Sequence, residues 1–208
     1  MTEYLTDQIP GIGGTIRHQP EDFRVEEIPL YPPSGEGDHL YLTIEKQGLT
    51  TYDLLRELAT ALDCKERDLG YAGLKDAQAI TRQTVSVPSR KPGDIKGLDI
   101  PGVTILSANL HRNKLRPGHL AGNHFRIRIH QPEPDSLRKA LEILALLEES
   151  GVPNRFGEQR YGSLDNSHRI GRAILNHDFD AAAGEIIGDP LSILHPGWRE
   201  AAAAYHKG

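Results

Sequence analysis

The chain is short of the residues that mark several large functional classes. It carries one cysteine, Cys64, among 208 residues, so no disulfide can close within it and no zinc site built on several cysteines exists. That thiol count fits a reducing compartment. No stretch approaches eighteen consecutive apolar residues, and residues 1–7 lack a basic segment followed by an apolar one. Neither a membrane span nor a signal peptide is expected, and the chain reads as cytoplasmic with no membrane partner. A phosphate-cradling Walker loop, a G-x-S-x-G elbow, an H-E-x-x-H pair and a dinucleotide fingerprint are all missing. The histidines are scattered, and His111 and His119 have neither cysteine nor carboxylate between them, so we expect no metal and no cofactor.

A net charge of −5 argues at first against a polyanionic partner, since affinity for nucleic acid comes mostly from Lys and Arg on phosphates. The distribution of charge says otherwise. Residues 109–131 contain no Asp or Glu, yet hold Arg112, Lys114, Arg116, Arg126 and Arg128 with His111, His119, His124 and His130. Acids gather early, at Glu21, Asp22, Glu26, Glu27, Glu36, Asp38 and Glu45. One basic face is enough to steer RNA, although such a stretch is also what a solvated surface looks like.

Alternation of apolar and polar residues predicts strands over 15–18, 23–28, 39–46, 83–88, 103–106 and 124–130. In the last of these Phe125, Ile127 and Ile129 are expected to face the core and the basic residues to face outward. Thr50 or Thr51 is placed to cap a helix whose buried face holds Leu54, Leu55, Leu58, Ala61 and Leu62. A second helix is predicted from a cap at Asp135 through Leu137, Leu141 and Leu144 to Gly151, with further helices over 166–175 and 179–187. Strands and helices are mixed without a βαβ rhythm. The expected class is therefore α+β, with a mainly antiparallel sheet flanked by helices.

Three residue types invite chemistry. Asp76, in Gly70-Tyr71-Ala72-Gly73-Leu74-Lys75-Asp76, is on its own more readily a turn or cap residue than a nucleophile, general base or metal ligand. Gly70 and Gly73 let the backbone approach another group, with Thr81, Arg82 and Gln83 downstream as polar partners. Lys75 is adjacent, but neighbours on an extended chain point to opposite faces, so no Lys75–Asp76 ion pair is assumed. Phe23 and Phe125 have the form of stacking platforms for a base, although periodicity alone places both in the core. Asn123 has the donor and acceptor that read a base edge, and following Gly122 it also suits a turn.

Several segments, in this order, resemble one family. They are Pro20-Glu21-Asp22-Phe23-Arg24-Val25-Glu26-Glu27, Gly35-Glu36-Gly37-Asp38-His39 with Lys46 and Thr50, and Tyr71-Ala72-Gly73-Leu74-Lys75-Asp76 with Ala79, Thr81 and Gln83. Gly122-Asn123-His124-Phe125 and Gly151-Val152-Pro153-Asn154-Arg155-Phe156-Gly157-Glu158-Gln159-Arg160-Tyr161-Gly162 complete the set. Together they are similar to the TruD family of tRNA pseudouridine synthases. The resemblance implies a pseudouridine-synthase-like catalytic domain that isomerises a uridine of tRNA, at position 13, without metal or organic cofactor. It makes Asp76 the catalytic aspartate and Phe23 the aromatic near the target base. Asn123 and Phe125 become substrate contacts, and Arg17 takes a position where the family often has a basic residue.

Members of the family continue beyond this region through an inserted domain and then return to the sheet. The chain is accordingly expected to be truncated at its C-terminus, with residues 1–162 the N-terminal portion of the catalytic domain and 163–208 a helical segment opening the insertion. The substrate partner is tRNA; no protein partner is implied, and a monomer is expected. Two alternatives stay open at this point: a non-catalytic RNA-binding module of the same family, and an unrelated hydrolase using Asp76 as general base.

Overall fold

The structure is a computed structural model that describes residues 4–154, 162, 164–191, 193 and 196–207. Its contacts form two compact units, Met1–Ala145 and Leu146–Gly208. The segment from Arg155 to Tyr161, which holds most of the last family motif, lies outside the described residues.

In the first unit a six-stranded sheet is built from β1 (Phe23–Pro29), β2 (His39–Lys46), β3 (Gly70–Tyr71), β4 (Ile80–Pro88), β5 (Val103–His111) and β6 (Leu120–Ile127). The order is β5-β2-β4-β1-β6, with β3 paired to β4 as well. Only β1 and β4 run parallel; every other pair is antiparallel. The sheet is thus mixed and mainly antiparallel, in an α+β fold.

The core follows from β2 and β4. Leu40, Leu42 and Ile44 alternate along β2 and meet Val87, Val85 and Gln83 across the ladder, so one face of both strands is apolar over most of its length. That face is covered by α1 (Thr51–Ala61), whose Leu54, Leu55, Leu58 and Ala59, with Leu62 at its C-cap, are buried against it. Ala61 was expected in this stripe and is exposed; Ala59 takes its place, because 54, 55, 58, 59 and 62 hold one face at helical spacing. The start of α1 is fixed by a reciprocal box. Thr50 Oγ1 accepts from the Asp53 amide at 3.1 Å, and the Asp53 carboxylate accepts from the Thr50 amide at 3.1 Å.

Two strand expectations are corrected. Residues 15–18 do not form a strand: Arg17 has φ +63°, which breaks the extended chain, and only Thr15 bridges to His130. The alternation of 124–130 meets β6 only over 124–127, since the strand runs Leu120–Ile127, and its apolar side does not reach a core. Phe125 and Ile127 in β6 are 55% and 43% exposed, and Ile129 just beyond it 40%, because β6 is an edge strand beside β1. Strands β4 and β5 also run longer than their apolar patterns. Residues 80–82 join by pairing with β1, and β5 continues to His111 past a bulge opposite Thr43 and Ile44.

A helix α2 (Ser136–Ser150) straddles the boundary between the units and ends at Gly151, whose φ of +77° suits a glycine stop. Leu137, Leu141 and Leu144 are exposed on it. The second unit contains α3 (Ser167–Leu175), α4 (Phe179–Ile187) and α5 (Pro196–Tyr205). Asp178 caps α4 by accepting from the Ala181 amide at 3.0 Å, and the Asn166 side-chain amide donates to the Glu185 carbonyl at 2.6 Å. Among the described residues no helix is long and apolar enough to cross a membrane.

Candidate active site

Asp76 sits in the connection between β3 and β4, and the backbone around it is tied down from below. The Lys46 ammonium donates to the carbonyls of Leu49 at 2.6 Å and Asp76 at 3.0 Å. Lys46 has almost no solvent exposure, and this burial pulls its pKa down to about 8; Lys75 adds to the effect while the Asp76 and Asp53 carboxylates oppose it. The next residue is held too. Thr51 Oγ1 accepts from the Lys75 amide at 2.9 Å and donates to Gln83 Oε1 at 3.0 Å. The Lys75 ammonium pairs with Glu27 Oε2 at 2.9 Å, both side chains nearly inaccessible, and Glu27 Oε1 accepts from the Thr84 amide at 3.1 Å. The adjacent cation therefore belongs to Glu27, not to Asp76.

The Asp76 carboxylate itself faces outward and is one-third exposed. Its Oδ1 accepts from the Gln78 amide at 2.9 Å, and its Oδ2 lies 3.1 Å from Arg17 Nη2. The Arg17 guanidinium stands over the Phe23 ring, 4.2 Å from its centroid. Phe23 meets Phe125 edge to face at 6.3 Å. Of this pair Phe23 is buried and Phe125 is exposed, so the core placement that periodicity suggested holds for Phe23 and fails for Phe125. Strand register sets Asn123 opposite Glu27, Phe125 opposite Val25 and Ile127 opposite Phe23, and facing pairs share one side of a sheet. Asp76, Arg17, Phe23 and Phe125 thus form one chain of contacts, with exposed Asn123 on the same face of β6.

The segment that carries Arg17 is anchored to the end of β6. His130 Nε2 lies 2.8 Å from Asp22 Oδ2, Arg128 lies 3.5 Å from Asp22 Oδ1, and the Gln19 amide donates to the same carboxylate at 3.2 Å. Burial alone would raise the Asp22 pKa, but His130, the Gln19 amide and Arg128 together bring it below its ordinary value. The His18 ring stacks on His130, centroids 4.2 Å apart and nearly parallel, and Thr15 exchanges both backbone hydrogen bonds with His130.

The expected basic surface is therefore divided. Arg128 and His130 serve Asp22, while His124 and Arg126 line a small cavity of about 100 Å³ with Arg24, Glu26, Glu45 and Arg82 on the opposite face of the sheet from Phe125. Among the described residues no three His, Cys, Asp or Glu side chains converge as metal ligands would.

The family model of tRNA pseudouridine synthase D (TruD) matches residues 1–208. The chain belongs to the TruD family. The tRNA pseudouridine synthase D of Geobacter metallireducens is 57% identical over 205 residues, covering 99% of this chain and 51% of that protein. Its counterpart in Geobacter sulfurreducens is 54% identical over 207 residues, covering 100% and 51%. A crystal structure from Methanosarcina mazei with the same family designation matches with a TM-score of 0.76 at 30% identity, over 98% of this chain and 48% of that one. The chain spans about half the length of the curated relatives it matches.

In this TruD chain, Lys46, Glu27, Lys75 and Gln83 lie in the family segments, but the motifs do not say which groups they bind. The burial of two of them was signalled in the strand pattern. Lys46 continues the inward parity of Leu40, Leu42 and Ile44, and Glu27 continues that of Phe23 and Val25, so both were placed to be buried charges. Asp22 gave no such signal, because its partner His130 lies 108 positions away.

Proposed function

We propose that this chain carries the catalytic aspartate of a tRNA pseudouridine synthase, with Asp76 as nucleophile and Phe23, Phe125, Asn123 and Arg17 as the substrate-binding groups. The observation that supports it best is the outward Asp76 carboxylate, fixed at its backbone by buried polar groups and joined through Arg17 to the Phe23–Phe125 pair. The catalytic groups fall within residues 1–162, with 163–208 a helical segment of a further domain. The assigned substrate is the uridine at position 13 of tRNA, modified by a cytoplasmic monomer.

Unstacking a base inside folded RNA costs a few kcal/mol, and stacking on an aromatic ring returns about 1–3 kcal/mol. Phe125 offers an exposed ring for that exchange, and Asn123 beside it has the donor and acceptor a uracil edge requires. Arg17 holds the Asp76 side chain in place from one end while its guanidinium lies on Phe23. With the base positioned, the N1–C1′ bond breaks and the Asp76 carboxylate takes part covalently in that step. The detached uracil turns, C5 bonds to C1′, the C5 proton leaves and N1 takes up a proton. Uridine and pseudouridine are isomers, so the balance closes without an oxidant or a second substrate.

A second reading, an RNA-binding module without turnover, draws support from β6. It is an edge strand whose outer side is unpaired among the described residues, so the site is open beyond Phe125. Incubating the chain with unmodified tRNA and mapping pseudouridine separates the two. Product at one tRNA position supports the synthase; tRNA binding with no product at high protein concentration supports the binding module.

A further inference from the structure

We propose that the groove between the outer side of α1, β3 and the loop after β5 is a second RNA-contact site, holding an unpaired nucleotide against Tyr52 and Tyr71. It rests on RNA being the partner, as above, and adds a site apart from the Asp76 contacts.

The groove is open and about 710 Å³ in volume, within the ~300–1,000 Å³ range of clefts that take small ligands. Its floor is made by Leu55, Leu69 and Leu115, which are buried. Its aromatic wall pairs an exposed ring, Tyr52, with a half-buried one, Tyr71. Tyr52, at the start of α1, turns away from the leucines that pack on the sheet and is 57% exposed. Its ring meets Tyr71 edge to face at 6.2 Å. Its hydrogen bond to Tyr52, together with burial, raises the Tyr71 phenol above its ordinary pKa.

The opposite wall is cationic. Arg67, Lys114 and Arg116 line it, against one acid, Glu66. Lys114 Nζ donates to the Arg67 carbonyl at 2.7 Å, which fixes its position without neutralising its charge. Arg67 has only Asp68 at 4.0 Å, on an exposed side chain, and Arg116 has no ion pair among the described residues. Two of the three cations, Lys114 and Arg116, come from the acid-free stretch 109–131 and take no part in the Asp76 contacts. What brings them beside Tyr71 is Gly70: a Cβ there would lie 2.2 Å from the Leu115 carbonyl, so only glycine lets the loop come this close.

An accessible aromatic ring such as Tyr52 facing Lys and Arg is the combination by which proteins hold single-stranded nucleic acid, bases stacked and phosphates paired. A protein partner would find three cations here, two of them without acid partners, which suits a polyanion better. The groove and Asp76 also share one segment. Asp76 is five positions beyond Tyr71, so their Cα atoms lie at most about 18 Å apart, and a single RNA strand spans both.

The test is titration of a fluorescein-labelled decauridylate with the 208-residue chain, read by anisotropy at several salt concentrations. Tyr52→Ala should weaken binding about tenfold and Tyr52→Phe less than about twofold, since the ring and not the hydroxyl stacks. Lys114→Ala and Arg116→Ala should each reduce the slope of log affinity against log salt by about 0.7. Wild-type affinity in Tyr52→Ala and Arg116→Ala would overturn the proposal and leave the groove to a protein partner. No binding of decauridylate by the wild-type chain would overturn it as well. Pseudouridine formation in Asp76→Asn reads the Asp76 assignment and decauridylate binding in Tyr52→Ala reads the groove, so failure of the groove and failure of the Asp76 assignment show in different measurements.

Discussion

Lys46 is an ammonium shut away from water, with two neutral carbonyls for partners, one of them belonging to Asp76. Its pKa of about 8, against 10.5 for an ordinary lysine, fixes the sign of a pH effect. Between these values the unfolded chain binds more protons than the folded one, so the contribution of Lys46 to stability rises with pH. The urea midpoint of the wild-type chain relative to Lys46→Met should therefore increase from pH 8 to pH 10; a constant difference would show that the folded and unfolded values coincide. The Glu27–Lys75 pair behaves differently, because each charge satisfies the other out of water. Glu27→Gln strands the Lys75 ammonium and should cost about 3–5 kcal/mol in urea unfolding, while Glu27→Leu with Lys75→Met should recover much of that loss. Lys46 and Glu27 lie on the inward parity of their strands, so their burial was legible in the sequence. Their partners were not, since those depend on which strands become neighbours.

Among the elements, α1 was the most readable, because its cap and its apolar stripe agree. Its buried face supports β2 and β4, and its first turn supplies Thr51 to the Lys75 amide, so the helix links the core to the Asp76 turn. Thr50→Ala removes the reciprocal box and should cost about 1 kcal/mol by thermal or urea unfolding. Strand β6 was readable only in part. Alternation announces a strand but not what lies over each face, and β6 falls at the sheet edge, where Phe125 and Ile127 stay exposed. The segment 15–18 failed for a local reason, the left-handed backbone of Arg17. That departure is useful to the site, since it turns the guanidinium over Phe23 and toward Asp76.

For the molecule as a whole, the sequence motifs located the family and Asp76, while the physical link between Asp76 and the aromatic pair became visible only in three dimensions. The cations of 109–131 do not form one surface: they are divided among Asp22, Glu36, the cavity behind the sheet and the groove beside β3. If RNA is the partner, affinity for tRNA should fall linearly in log–log terms with salt, by about 0.9 per phosphate contact on a duplex. An affinity indifferent to salt would remove the electrostatic case. The role of Asp76 has its most direct test in the C–C bond itself. With tRNA tritiated at uridine C5, the wild-type chain should release one tritium for each pseudouridine formed, and Asp76→Asn should release none above background while binding tRNA equally well. Undiminished release from Asp76→Asn would contradict the assignment of Asp76 as nucleophile.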